Sequence, residues 1–258
     1  MRRASRATAR VHYIGPMADL VLVHGITESK ASWDPLVQPL SSQHRVLAID
    51  LPGHGAASRN APFDLMTMAT DALGEMNTAG FAPERSVLIG HSLGGTVVSA
   101  MASAVSVLGV INVDQPLKLA DFQAGLRQLE PMLRGDEASF QTAISMVFDA
   151  MRGPLSAAET KRIESIRHPE QQVVLGVWEP VLSSTVEELD ALVEAMGTNV
   201  NAPYLSLHGI DPGDGYATWL TSLIQTAIVE IWPDHGHYPH LVDPQRFVAR
   251  VNEFVQSI

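Results

Sequence analysis

The sequence predicts an α/β fold: a doubly wound, mostly parallel sheet carrying an inserted helical cap. Three observations point there. Apolar runs of strand length recur along the chain, each ending in turn residues. Helical patterns fall between most of these runs, the alternation expected of a sheet covered on both faces. One stretch, residues 115–200, breaks the rhythm with one helical pattern after another.

The runs come in order. Residues 20–23 end in His24-Gly25, and residues 46–49 end in Asp50-Leu51-Pro52-Gly53. Residues 87–89 lead into Gly90-His91-Ser92, and residues 110–113 into Asp114. Residues 204–207 lead into His208-Gly209, and residues 227–232 into Pro233-Asp234. The runs are continuously apolar rather than alternating, which suits strands buried on both faces. Between them, Asp34-Pro35 is an N-cap followed by proline at the first helical position, opening a helix to about Ser41. Residues 64–78 read as an amphipathic helix stopped by Gly80, and residues 93–105 as a helix rich in small residues that packs close to the sheet. Asp243-Pro244 opens the last helix, with Phe247, Val248, Val251, Phe254 and Val255 on one face. Right-handed crossovers then gather the strand C-termini and their polar loops along one edge.

The expected organisation is a core of residues 1–114 and 201–258 and a cap of residues 115–200. The cap sits over the strand C-termini because both its ends emerge there. Its helices read at about 117–133, 137–151, 157–167, 171–177 and 186–196, with 173–177 also readable as a strand. Met132, Met146, Phe148, Met151, Trp178 and Met196 are its large apolar side chains, of which Trp178 and Met146 are the candidates to line a pocket. Trp178-Glu179-Pro180 reads as a large aromatic at a helix end.

Composition narrows the function. The chain has 258 residues, 46% of them hydrophobic, enough for one large domain with an insertion. The net charge is -11 with only 17 Lys and Arg, and no basic cluster in the body, which disfavours nucleic acid as a partner. With no cysteine there is no disulfide, thiolate metal site or cysteine nucleophile. The basic, acid-free start Met1–Arg10 has no apolar stretch behind it and reads as a tail, with residues 11–14 a plausible strand. No apolar run approaches the ~18 residues that span a bilayer. The expectation is a soluble cytoplasmic protein, and the pattern sets no oligomeric state.

Gly90-His91-Ser92-Leu93-Gly94-Gly95 carries the strongest chemical signal. It fits G-x-S-x-G, in which a strand turns sharply into a helix and leaves the serine strained and exposed. The glycines remove Cβ atoms that would clash, and the helix N-terminus presents backbone N–H groups to developing negative charge. His24-Gly25-Ile26, at another strand end, can aim the Ile26 N–H at the same reacting carbonyl as that of Leu93. A nucleophilic serine needs a base. Of His235, His237 and His240, the loop position just after Gly236 favours His237, with His235 and His240 left to local hydrogen bonds. The spacing of these histidines could serve a metal, but no carboxylate spacing singles one out. Asp50 reads as a structural anchor for backbone N–H groups, and Trp33 as packing on the first helix.

Together these motifs resemble the α/β-hydrolase superfamily, in family order and over most of the chain from about Val11. The resemblance implies an α/β-hydrolase fold and acyl transfer without a cofactor. Ser92 would be the nucleophile, His237 the base, and Ile26 and Leu93 the backbone oxyanion donors. The short segment before residue 20 implies that the family's first strand is missing or reduced. The family also requires a carboxylate on the base. The family's glycine, two variable residues, then aspartate is not matched: Gly209-Ile210-Asp211 puts an aspartate one residue early, and Asp214 falls two late. Asp211, four residues past Leu207 and near the sheet edge, is the choice, with Asp114 and Asp214 as alternatives. The implied activity is hydrolysis of a small to medium carboxylic ester, lactone or thioester with an apolar part. C–C bond hydrolysis, cofactor-free oxygenation and non-catalytic ligand binding are the alternatives on the same scaffold.

Overall fold

The computed structural model describes residues 18–258. The expected tail, the strand at residues 11–14 and the question of a reduced first strand lie outside the described residues. Six strands form one sheet: β1 (Asp19–Val23), β2 (Arg45–Ile49), β3 (Ser86–His91), β4 (Gly109–Val113), β5 (Tyr204–His208) and β6 (Ala227–Ile231). Their order is β2-β1-β3-β4-β5-β6, and every pairing is parallel. The winding reverses between β1 and β3, and the crevice outside the carboxyl ends of such strands is where open α/β sheets bind ligands.

Side chains that alternate along each strand feed two separate cores. Val21, Val23, Leu88, Val110 and Tyr204 point into one. Leu20, Leu22, Val87, Ile89, Ile111, Val113, Leu205 and Leu207 point into the other. The continuous apolar runs follow from this two-sided burial. On the first side lie α2 (Leu65–Thr78), whose N-cap Asp64 accepts from Thr67 N, and α3 (Leu93–Ala104). On the second lie α1 (Asp34–Ser41) and the C-terminal helix, Pro244–Ser257. The small residues of α3 let it approach closely: a Cβ on Gly95 would sit 2.3 Å from Asn112 Oδ1 of β4.

Five helices intervene between β4 and β5: α4 (Ala120–Leu133), α5 (Glu137–Met151), α6 (Ala157–Ile166), α7 (Gln171–Ser183) and α8 (Val186–Gly197). They do not form one body. Leu126, Leu133, Phe140, Ile144, Phe148, Val174 and Trp178, from α4, α5 and α7, make a third apolar cluster that also takes in Ile26. Helix α6 is fastened to the core, with Arg162 donating to the carbonyls of Ala31 and Ser32 at 2.7 and 3.0 Å. Helix α8 touches the third cluster through Leu189, but its Val193 belongs to the core beside α3. The stretch 173–177 is helical, and α7 continues through Pro180 to Ser183, so Trp178 lies inside the helix rather than at its end. The missing proline N–H costs one helix bond, and burial of Trp178, Val181 and Leu182 offsets it. Two short helices escaped the sequence reading, α9 (Tyr216–Leu223) and α10 (Pro239–Val242), which leaves the C-terminal helix as α11. Among the described residues no helix is long and apolar enough to cross a membrane.

The C-terminal edge and the strands beneath it hold several buried histidines. Burial lowers His24, His54, His91 and His208 from 6.5 to about 4, so they are neutral in the folded chain. A histidine with a folded pKa below its unfolded value takes up its proton more readily unfolded, so their contribution to stability is complete above about 6.5 and is lost as pH falls toward about 4. The thermal unfolding midpoint is therefore expected to drop between about pH 7 and about pH 5. Melting curves by circular dichroism would check this, and a midpoint that rose or stayed level over that window would contradict it.

Candidate active site

Strand β3 turns straight into α3 at Ser92, whose backbone sits at φ 52° and ψ -126°. Such a conformation costs a non-glycine residue about 1–3 kcal/mol and persists only where its surroundings enforce it. Here Ser92 N–H donates to Val113 O at 3.0 Å, and Gly95 N–H donates to Ser92 O at 2.7 Å. The turn leaves no room for side chains: a Cβ on Gly90 would lie 2.0 Å from Gly94 O, and one on Gly94 would lie 2.2 Å from Val23 O. The same closeness brings the start of α3 against the end of β1. A Cβ on Gly25 would be 3.2 Å from Ser92 Cβ. Ile26 and Leu93 face the same apolar cluster, and Leu93, as the first helical residue, has an N–H with no intrahelical acceptor.

The residues below shape this corner. His24 is fully buried, and its Nε2 accepts from Leu51 N–H at 3.1 Å. The proton therefore sits on Nδ1, which donates to Gly25 O at 2.7 Å. Asp50 accepts from the N–H groups of Lys30 and Ala56 at 2.7 and 3.1 Å, the anchoring role expected of it. Trp33 is buried between His240 and Phe247 of the C-terminal segment rather than on α1 alone.

His237 is 5% exposed and clamped on three sides. Its N–H donates to Met151 O at 2.9 Å, its carbonyl accepts from His91 Nε2 at 2.8 Å, and its Nδ1 donates to Asp114 Oδ2 at 2.7 Å. Its Nε2 is buried and makes no hydrogen bond, which leaves it as the free proton acceptor. Asp114 is 3% exposed and sits at φ 50° directly after β4. Its other oxygen accepts from the N–H groups of Gly209 and Ile210 at 2.7 and 3.0 Å. Burial opposes ionisation of Asp114, but the hydrogen bond and charge of His237 and the Ile210 N–H outweigh it, so its pKa lies below the ordinary carboxylate value.

The carboxylate that pairs with His237 is thus Asp114, and the expectation of Asp211 is corrected. Asp211 is exposed, and its Oδ1 accepts from Gly213 N–H at 2.9 Å, a local turn. Asp214 is exposed as well. What the stretch after β5 contributes is backbone: Gly209 and Ile210 turn their N–H groups toward Asp114, and the chain then leaves the edge. The loop bearing His237 lies directly on this backbone, since a Cβ on Gly209 would meet Gly236 O at 2.1 Å. Of the flanking histidines, His235 makes the expected local contact, with Pro233 O at 2.7 Å. His240 does not: both its ring nitrogens are unpartnered, and it is packed against Trp33 and His91 at 4.8 and 4.6 Å.

The two pocket candidates part company. Trp178 is buried in the cluster that covers Ile26, with its ring edge-on to Phe122 at 5.8 Å. Met146 is 51% exposed and lines nothing. The buried stripe of α5 is Phe140, Ala143, Ile144 and Phe148, and a residue two positions from both Ile144 and Phe148 points away from it.

A family model described as the alpha/beta hydrolase family matches residues 20–250. The chain belongs to the alpha/beta hydrolase family. Among curated relatives, the pimeloyl-[acyl-carrier protein] methyl ester esterase of Vibrio atlanticus is 31% identical, over 95% of this chain and 97% of that one. The protein of the same name from Nitrosomonas europaea is 25% identical, over 94% of this chain and 98% of that one. The fold is shared with an esterase from Rhodococcus (TM-score 0.69, 22% identity, 93% of this chain and 90% of that one). It is also shared with an enol-lactonase from Burkholderia xenovorans (TM-score 0.71, 16% identity, 95% and 94%). For this α/β hydrolase, Asp114→Asn is expected to cost about four orders of magnitude in turnover of an activated ester, as a wrong imidazole tautomer does in a known triad. Asp211→Asn should stay within a few-fold of wild type; the reverse order in steady-state rates would return the acid's role to Asp211.

Proposed function

We propose that this α/β hydrolase is a serine esterase that cleaves a small to medium carboxylic ester through an acyl-enzyme on Ser92. The observation that carries the reading is the buried 2.7 Å pairing of His237 Nδ1 with Asp114, on a loop packed against the residue that precedes Ser92. His237 Nε2 takes the Ser92 proton as Oγ attacks the carbonyl. The N–H groups of Ile26 and Leu93 receive the oxyanion, each contributing a few kcal/mol at the transition state. The imidazolium, steadied by ionised Asp114, gives its proton to the leaving alcohol, and a water activated by the same nitrogen releases the acid.

We assign the cap to α4, α5 and α7, which share the third apolar cluster, with the α6–α7 link joining it to the core. The substrate's apolar part would lie among Ile26, Leu93, Leu119, Phe122, Val177 and Trp178, which pack around one cluster. A methyl ester of an aliphatic acid, the chemistry in the curated relatives' name, falls in this class. Among the cap cations, Arg134 and Arg152 are paired, with Glu130 and Glu179 and with Asp149 and Glu164, while Arg127 donates to the carbonyls of Leu182 and Ser184.

Incubation with a fluorophosphonate probe and a short-chain nitrophenyl ester tests the reading. Wild type should label at Ser92 and turn the ester over, and Ser92→Ala should do neither. Wild type inert in both assays would sink the proposal, and labelling without ester turnover would favour another reaction of the same nucleophile.

A further inference from the structure

Beneath the serine and the base lies a buried carboxylate that the mechanism above leaves unused. Glu28 closes the loop that begins at His24-Gly25-Ile26, and its side chain is 1% exposed. Its Oε1 accepts from Tyr238 OH at 2.8 Å. The same hydroxyl accepts from Arg167 Nη2 at 2.7 Å, and that guanidinium nitrogen lies 3.9 Å from Oε1. Its Oε2 faces His91 Nδ1 at 3.8 Å, and neither of these two buried atoms has a hydrogen-bond partner. Tyr238 follows His237 and His91 precedes Ser92. One carboxyl group therefore touches the immediate neighbours of both the base and the nucleophile.

His91 links this carboxyl group to the base. Its Nε2–H is committed to His237 O at 2.8 Å, so its other nitrogen presents a lone pair toward Glu28 when the ring is neutral. Glu28 therefore abuts His91 at 3.8 Å while His91 holds the carbonyl of His237. The ring also stacks on His237 at 4.7 Å and on Tyr238 at 4.9 Å, so its tilt is passed to the base by contact.

We propose that Glu28 is a positioning residue for this reaction: through Tyr238 and His91 it sets the loops that carry His237 and Ser92. The inference rests on the serine-esterase reading. It also connects the cap to the chemistry. Arg167 comes from the α6–α7 link, lies over the Phe148 ring of α5 at 3.9 Å, and is followed by His168, whose N–H donates to Thr27 O at 2.8 Å. A cap seated in this way completes the Glu28 cluster, and a displaced cap would take Arg167 out of it.

The experiment compares Glu28→Ala and Glu28→Gln with wild type, each normalised to fluorophosphonate-titrated sites so that unfolded protein does not count. Glu28→Ala should lose about 10²-fold in kcat with KM changed less than about three-fold, the loss expected when reacting groups are misplaced by about 1 Å. Glu28→Gln keeps an acceptor for Tyr238 and offers an N–H to His91, and should recover at least about ten-fold of that loss. Tyr238→Phe added to Glu28→Ala should cost little more, because both act through one contact. The low-field proton resonance of the His237–Asp114 hydrogen bond should shift or broaden in the alanine variant and persist in the glutamine variant. A wild-type kcat and an unmoved resonance in Glu28→Ala would overturn the proposal, and so would a glutamine variant as impaired as alanine. If wild type itself neither labels nor turns over ester, the esterase reading fails, and the resonance alone then decides whether Glu28 positions His237.

Discussion

The hydrogen bond from His237 Nδ1 to Asp114 Oδ2 joins residues 123 positions apart, and most of the active edge is arranged around it. Asp114 brings the end of β4 and, through its second oxygen, the two amides that follow β5. His237 brings the loop after β6. A buried carboxylate is costly in isolation, but three donors, His237 Nδ1–H and the Gly209 and Ile210 amides, make this one favourable. Remove the carboxylate and two inward-pointing amides, one imidazole and one loop lose their common partner. The glycines at this edge serve the same end. Gly209 against Gly236, and Gly94 against Val23 O, let backbone meet backbone where a side chain would force the loops apart.

The layer below is unusual in being aromatic and titratable at once. His91, His237, His240 and Tyr238 pack ring to ring at 4.6 to 6.2 Å. Burial keeps His91 and His240 neutral and pushes the Tyr238 hydroxyl well above its ordinary value. Neutral rings next to His237 leave it the one imidazole in this layer that is paired with Asp114 and free at its other nitrogen. Glu28 and Arg167 lie on the far side of this layer, where both meet the Tyr238 hydroxyl.

The helices between β4 and β5 are tied to the loops at this edge. Met151, the last residue of α5, supplies the carbonyl that holds the His237 N–H, and the close meeting of Gly153 with Gly236 lets that chain lie flat on the histidine loop. His168 is bonded to the loop that carries Ile26. The placement of these helices and the geometry of the loops around Ser92 are therefore one mechanical problem.

The sequence by itself determined the strands, most of the helices, the elbow at Ser92 and the placing of His237 on the loop after β6. Each of these is written locally: apolar runs between turn residues, Asp-Pro at helix starts, and glycines on either side of a serine that must turn sharply. The partner of the histidine was not written locally. Asp211 and Asp114 both follow strands and both stand near the same edge, and nothing in either flank tells which carboxylate points inward. That depends on how the loop after β6 crosses Gly209, a backbone contact between segments with no shared pattern. The same holds for Glu28, His91, Arg167 and Tyr238. They are polar residues in four separate segments, and the structure alone decides that they meet, because burial leaves each of them only the others as partners.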